Sequence, residues 1–157
     1  MGYTHYWTQP KDYAALEWRC ICEDVALILA TACGVHEVTL AWECDKPNKP
    51  PALSAKLIRF NGIGEEGHES FYITRKRAKL ESWQGSEDFG HACCKTAHKP
   101  YDVAVTAVLV YLAAVRGWHV GSDGNTSEWR DGVDVARDAL PRFRDSLRVP
   151  SPVVDNE

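Results

Sequence analysis

The spacing of apolar residues predicts a long amphipathic helix near the start of the chain. Between Lys11 and Cys33, apolar side chains recur every three or four residues, at Trp18, Ile21, Val25, Ile28 and Ala32. This spacing places them in one stripe of a helix, while most of the charged residues fall on other faces. Pro10 suits the first turn of this helix, Thr8 its N-cap and Gly34 its end.

A denser apolar run, Val103–Val115, predicts the most buried helix of the chain. Pro100 and Asp102 suit its first turn, because proline has a helical φ and a carboxylate favours the positive end of the helix dipole. Gly117 suits its C-terminus. The run is shorter than the ~20 apolar residues that cross a bilayer, so we expect a soluble protein with no membrane partner.

A third helix and several short strands complete the predicted elements. The helix follows Thr126 or Ser127, ends at Pro141, and buries Trp129, Val133, Ala136 and Leu140. The strands are predicted at Thr4–Trp7, Val38–Trp42, Leu53–Phe60, Glu69–Thr74 and Trp118–Val120. Turns, not crossover helices, join the middle strands. We therefore expect one α+β domain over residues 1–149, with about three helices packed on a mostly antiparallel sheet, and a disordered tail over residues 150–157.

Composition and charge exclude several classes of function. The formal net charge is −4, and such a chain lacks the basic surface that duplex nucleic acid requires. The N-terminus shows no secretory signal, so the six cysteines are expected to be reduced thiols in a cytoplasmic protein. Six tryptophans and apolar helices leave room for a homo-oligomer.

Four stretches of the chain resemble a family of short, uncharacterised phage and prophage proteins. They are GYTHYW at Gly2–Trp7, FNGIGEEGHESF at Phe60–Phe71, CKTAHKPYD at Cys94–Asp102, and Ser122-Asp123-Gly124 with Trp129. The family tends to have an aromatic residue and an arginine where this chain has Cys93 and His98, so no guanidinium is present at position 98. The resemblance implies a phage origin, and hence the cytoplasm of an infected bacterium, but it implies no reaction.

The polar residues of these stretches predict a site for a phosphorylated, nucleotide-type ligand. Basic and hydroxyl side chains precede a helix N-terminus, where phosphates bind, and a loop containing three glycines could turn its amide N–H groups towards an anion. Aromatic rings could stack on a base. The candidate ligand-binding residues are Tyr3, His5, Trp7, Asn61, Gly62, Gly64, His68, Glu69, Lys95, Thr96, His98, Lys99, Tyr101, Asp102 and Asp123. We expect a protein without a cofactor that sequesters such a ligand, for example a host-defence second messenger.

Two other interpretations remain open. A hydrolase or phosphodiesterase could use His68 and Asp102 as base and acid, or the thiol of Cys93 or Cys94 with a nearby histidine. An inhibitor of a host defence enzyme could use the polar loop Arg75–Gly90. The histidines and cysteines at 91, 93, 94 and 98 lack the spacing of zinc knuckles, so no metal is predicted. The G-x-G-x-x-G spacing after Asn61 joins two predicted strands and lacks the helix of a dinucleotide site.

Overall fold

Two small antiparallel sheets and three α-helices form the described part of the chain, which in this computed structural model covers residues 2–77, 89–151 and 153. The strands are β1 (Thr4–Thr8), β2 (Ala52–Leu53), β3 (Leu57–Phe60), β4 (Phe71–Thr74), β5 (His91–Lys95) and β6 (His119–Ser122). The helices are α1 (Ala15–His36), α2 (Asp102–Arg116) and α3 (Arg130–Ala139), with 3₁₀ turns at Gly64–Glu66, Thr126–Trp129 and Pro141–Ser146. The predicted α+β class is confirmed.

The strands form two sheets instead of the single predicted sheet. The first has the order β5-β1-β6 and the second the order β2-β3-β4, and every pair is antiparallel. Strand β1 is therefore central in the first sheet, and His5 lies opposite Cys94 on one side and Ser122 on the other. Alternation along β1 directs His5 and Trp7 to the interior.

Helix α2 is the centre of the hydrophobic core. Every residue from Ala104 to Leu112 is buried, which agrees with its nearly continuous apolar sequence. It packs against both α1 and α3. The largest fully buried side chains around these helices include Trp18, Trp129, Tyr101, Tyr111, Phe60 and Phe71. Burial of one such side chain stabilises the fold by roughly 1.5–3 kcal/mol.

Helix α1 differs from the prediction at both ends. It begins at Ala15 and not at Lys11, because the preceding segment is held extended: Tyr13 N–H donates to Arg75 O at 3.0 Å, a bond that the sequence does not reveal. It also continues through Gly34 to His36. Glu37, at the C-cap, takes the left-handed conformation (φ 54°) that was expected of a glycine.

Three further predictions about secondary structure were wrong. Val38–Trp42 is not a strand, since only Ala41 pairs, in an isolated bridge to Asn61. The predicted strand Leu53–Phe60 is divided into β2 and β3 by a turn after Leu53. Neither Thr126 nor Ser127 caps the last helical segment. Asn125 does so, because its side chain accepts from Glu128 N–H at 3.1 Å.

The C-terminal segment is described only in part. Val153 N–H donates to Pro150 O at 2.9 Å, and the Val153 side chain is buried against the core. The rest of the predicted tail, and residues 78–88 of the polar loop, lie outside the described residues. Within residues 2–77 and 89–151, none of the helices is long and apolar enough to span a membrane.

Candidate functional site

A fully buried histidine, His5, connects two polar side chains from distant parts of the chain. His5 Nε2 lies 2.6 Å from Asp102 Oδ1, at the first residue of α2. His5 Nδ1 lies 2.7 Å from Ser122 Oγ, on the neighbouring strand β6. Both ring nitrogens therefore have partners, as burial of an imidazole requires.

The remaining contacts of Ser122 indicate where the protons lie. Ser122 Oγ accepts from Gly124 N–H at 2.9 Å and from Trp129 Nε1–H at 3.2 Å. Because these two donors use both lone pairs of the Ser122 oxygen, the Ser122 O–H donates to His5 Nδ1. His5 then carries its proton on Nε2 and donates it to Asp102.

Asp102 is the end of this network that reaches the surface. Thr96, which is buried, also donates to Asp102 Oδ1, at 2.6 Å. The hydrogen bonds from His5 and Thr96 thus fix the position of the carboxylate. The side chain of Asp102 keeps 16% of its area exposed and lines a cleft of about 390 Å³. The network therefore holds one carboxylate oxygen in place and leaves part of the group accessible.

The cleft lies where the start of β1, the end of α1, the turn before α2 and the start of α3 meet. Its polar lining includes Tyr3, His36, His98, Lys99, Thr106, Glu128 and Asp131 beside Asp102. Three carboxylates therefore face one lysine and two histidines. This balance makes the cleft rich in hydrogen-bond acceptors.

Tyr3 lines the cleft with its ring, and its hydroxyl is buried. The residue is 4% exposed, and within the described chain its Oη has no hydrogen-bond partner. Burial, followed by the charges of Asp102 and Glu128, raises the pKa of Tyr3, so the hydroxyl keeps its proton. An unpaired buried hydroxyl costs about 1–3 kcal/mol.

The turn before α2 is strained and is fastened to β1. Ala97 and His98 both have left-handed φ angles, 52° and 59°, which are uncommon outside glycine and cost about 1–3 kcal/mol each. Thr96 and Ala97 N–H both donate to Tyr3 O, at 3.1 and 3.2 Å. The conformation places the His98 ring on the Tyr3 ring, with centroids 3.6 Å apart and planes at 24°. His98 Nδ1 also lies 3.6 Å from Glu128 Oε2.

A second group of predicted residues stabilises the fold away from the cleft. The Glu69 carboxylate accepts from Lys95 N–H at 2.7 Å, and its backbone oxygen accepts from the Tyr101 hydroxyl and from Cys94 Sγ. His68 Nδ1 lies 3.0 Å from Lys95 O. These contacts join the glycine-rich loop to β5. The predicted acid–base pair of His68 and Asp102 is not in direct contact, because Asp102 pairs with His5.

The glycine-rich loop uses its amide groups internally. Asn61 Oδ1 accepts from Gly62 N–H at 2.7 Å and from His68 N–H at 3.1 Å. Gly64 N–H donates to Cys44 O at 2.7 Å. These donors already have acceptors within the chain, and Gly62 and Gly64 do not line the cleft.

The structure brings together only part of the predicted ligand-binding set. Residues that line the cleft are Tyr3, His98, Lys99 and Asp102, and those directly behind Asp102 are His5 and Thr96. Residues that the structure places elsewhere are Trp7, Asn61, Gly62, Gly64, His68, Glu69, Lys95, Tyr101 and Asp123. Sequence reasoning did not include Ser122, Trp129, His36, Glu128 or Asp131. Of these, only Ser122 and Trp129 could have been found from the sequence, because they belong to the fourth stretch that resembles the phage proteins.

The cysteines do not resemble an activated nucleophile or a metal centre. Cys93 and Cys94 point to opposite faces of β5, the first exposed and the second buried. Burial raises the pKa of Cys94 to about 12 and also raises that of Cys93, so both thiols hold their protons near neutrality. In the described part of the chain, no three histidine, cysteine or acidic side chains are grouped to hold a metal ion.

The Ser122–His5–Asp102 order is that of a hydrolase triad, but its orientation is reversed. Ser122 Oγ is enclosed by its three partners and does not line the cleft, whereas the carboxylate does. A triad needs the hydroxyl, and not the acid, at the substrate. No protein-family model, curated protein or solved structure matches this chain. The geometry of the cleft is therefore the basis for its functional interpretation.

Proposed function

We propose that the chain is a binding protein for a small, phosphorylated, nucleotide-type molecule that occupies the cleft beside Asp102. The observation that carries the proposal is the carboxylate of Asp102 in this cleft, which His5 and Thr96 hold in a fixed position while part of it stays exposed. Preorganised polar groups around a space of about 300–1,000 Å³ are typical of small-molecule sites.

The chemistry of the lining supports a ligand with both a ring and an anionic group. The stacked rings of Tyr3 and His98 provide an aromatic wall against which a base could lie. Lys99 supplies a positive side chain for a phosphate, and His36 lies on the same cleft as a further polar side chain. Because Glu128 and Asp131 would repel that phosphate, it is expected at the Lys99 side of the cleft.

Holding the ligand is favoured over cleaving it because the serine of the network is enclosed and the cysteine thiols are protonated. The hydrolase alternative has one observation in its favour: Asp102 at the cleft, backed by His5 at 2.6 Å, could act as a general base. The role in sequestering a host-defence messenger rests on the resemblance to phage proteins alone.

The proposal is tested by incubating the protein with a panel of nucleotides and following its melting temperature. At ~100-fold excess over Kd, a ligand should stabilise the folded state by about 2.7 kcal/mol. The Asp102→Asn variant should lose most of this stabilisation, while Asp138→Asn, an exposed change on α3 outside the cleft, should keep it. If no nucleotide raises the melting temperature, the proposal is abandoned.

Denaturing the complex and analysing the released small molecule separates the two functions. A binding protein returns the ligand intact, in a molar ratio near one per site. A hydrolase returns a product that accumulates with time and disappears in the Asp102→Asn variant. The second outcome would replace binding with catalysis at the same cleft.

A further inference from the structure

We infer that α3 carries a second ligand site, separate from the cleft, which binds a phosphate group through three arginines. The site is a cavity of about 200 Å³, called here the arginine cavity. Its lining consists of Thr126, Arg130, Val133, Asp134, Arg137, Arg148 and Val149. None of these residues lines the cleft beside Asp102, so the two sites can be tested separately.

The arginine cavity lies between one face of α3 and the segment that follows the last 3₁₀ turn. Arg130 and Arg137 are two helical turns apart, which places them on the same face of α3. Arg148 belongs to the segment after the turn. Arg137 fastens this segment to the helix, because its Nε–H donates to the backbone oxygen of the buried Leu147 at 2.8 Å. The fold therefore holds arginines from two separate segments around one cavity.

The three arginines have no carboxylate partner among the described residues. Arginines elsewhere in the protein do pair: Arg59 Nη2 lies 3.1 Å from Glu43 Oε1, and Asp24 accepts from Arg142. Asp134 also lines the arginine cavity, yet it forms no ion pair with the arginines around it. The described lining thus has three positive side chains against one negative side chain, and this surplus matches the charge of a phosphate dianion.

The chemistry of the arginine cavity favours a phosphate over a carboxylate. A guanidinium presents a planar fork of N–H donors that binds two oxygens of an anion. A carboxylate has two oxygens and one charge, which a single fork satisfies, whereas a phosphate has further oxygens and can accept from arginines on both sides. Helix α3 also separates the charges, since Asp131 faces the acidic cleft while Arg130 and Arg137 line the cavity. A free phosphate ion is therefore expected in the arginine cavity.

The test measures dissociation constants of the unmodified protein by calorimetry, at constant ionic strength and about pH 8, where phosphate is a dianion. The probes are inorganic phosphate, pyrophosphate and acetate. Phosphate and pyrophosphate should bind in a molar ratio near one per chain. Acetate should bind at least about 10-fold more weakly than phosphate, because it offers one charge and two oxygens. No measurable binding of either phosphate probe, or acetate binding as tightly as phosphate, would overturn the inference.

The variants Arg130→Gln and Arg148→Gln test the assigned contacts. Both residues are exposed, so the variants should keep the fold, and each should bind phosphate at least about 5-fold more weakly because a charge-assisted hydrogen bond is lost. Arg144→Gln is the matched control, because Arg144 is an exposed arginine that does not line the cavity. It should keep the affinity of the parent.

An equal loss of affinity in Arg144→Gln and Arg148→Gln would mean that phosphate follows the net charge of the protein and occupies no site. Asp102→Asn should also leave phosphate binding unchanged, since Asp102 lies in the cleft. If phosphate binding responds to Asp102→Asn and not to Arg130→Gln or Arg148→Gln, the phosphate occupies the cleft and the second site is rejected. Neither result changes the outcome expected when nucleotides are tested at the cleft.

Discussion

At the scale of single residues, the Tyr3 hydroxyl is a structural cost. It is buried without a hydrogen-bond partner in the described part of the chain, which destabilises the fold by about 1–3 kcal/mol. His5 shows the opposite arrangement, because both of its ring nitrogens are paired. Tyr3 directly precedes β1 and His5 lies within it, so an unpaired and a fully paired polar side chain stand two positions apart.

Replacing Tyr3 by Phe should stabilise the free protein. Loss of the unpaired hydroxyl should raise the free energy of unfolding by about 1 kcal/mol, measured by urea denaturation. The matched control is Tyr13→Phe. Tyr13 Oη accepts from Trp118 Nε1 at 2.6 Å, so this change should lower the free energy of unfolding by about 1–2 kcal/mol. A Tyr3→Phe variant that is less stable than the parent would contradict the assignment.

Cys94 should make the stability fall at alkaline pH. Burial raises its pKa in the folded state to about 12, above the ordinary value of 9.0, so the folded protein holds this proton more tightly than the unfolded chain. Below about pH 9 both states are protonated and the contribution is complete; it is lost progressively as the pH rises towards 12. Cys94→Ala should therefore show a shallower loss of unfolding free energy between about pH 8.5 and 10.5. Cys20→Ala, at an exposed position, should follow the parent, and identical slopes for all three proteins would reject the effect.

At the scale of elements, the sequence predicted what local chemistry determines. Helix α2 ends where Gly117 indicated, because a left-handed glycine acts within one turn, but it begins at Asp102, two residues after the predicted start at Pro100. The start of α1 depends instead on a backbone bond from Tyr13 to Arg75. Strand β5 was not predicted from the sequence. Its inward residues, Ala92 and Cys94, alternate with another cysteine, so apolar and polar residues do not alternate clearly as they do in most half-buried strands.

The contact between α2 and α3 should depend on the absence of a side chain at Gly132. A Cβ at this position would lie 2.2 Å from Thr106 Oγ1, on the α2 face that lines the cleft. We expect Gly132→Ala to lower the free energy of unfolding by about 1–3 kcal/mol, because the helices must separate. Gly34→Ala is the control within α1. It meets no atom within 4 Å and should raise stability by about 0.5–1 kcal/mol. Thermal unfolding would show the two melting temperatures moving in opposite directions.

At the scale of the whole molecule, the site arises from chain segments that no local pattern connects. His5 is 97 residues from Asp102 and 117 from Ser122, and antiparallel pairing of β1 with β6 brings His5 and Ser122 together. Sequence reasoning located the acidic start of α2 and the aromatic N-terminus, because each has a chemical signature. It could not locate Glu128 or Asp131, which resemble ordinary surface acids until α3 is packed against α2.

A buried ion network is centred on Asp24, and none of its residues lines the cleft. Its carboxylate accepts from the Tyr111 hydroxyl at 2.7 Å and from Arg142, and Arg116 Nη2 lies 3.8 Å away. One aspartate thus joins α1, α2 and the turn Pro141–Ser146.

Replacing Asp24 by Asn should destabilise the whole fold without changing the site. The variant leaves two guanidinium groups without their shared anion, of which Arg116 is largely buried, and we expect a loss of about 3 kcal/mol in the free energy of unfolding. Arg19→Ala breaks an exposed pair with Glu23 and should cost at most about 0.5 kcal/mol. Because Asp24 does not line the cleft, its variant should retain the nucleotide affinity of the parent at a temperature where it is folded. A loss of affinity equal to that of Asp102→Asn would mean that the network and the cleft form one coupled unit, contrary to the separation that the packing indicates.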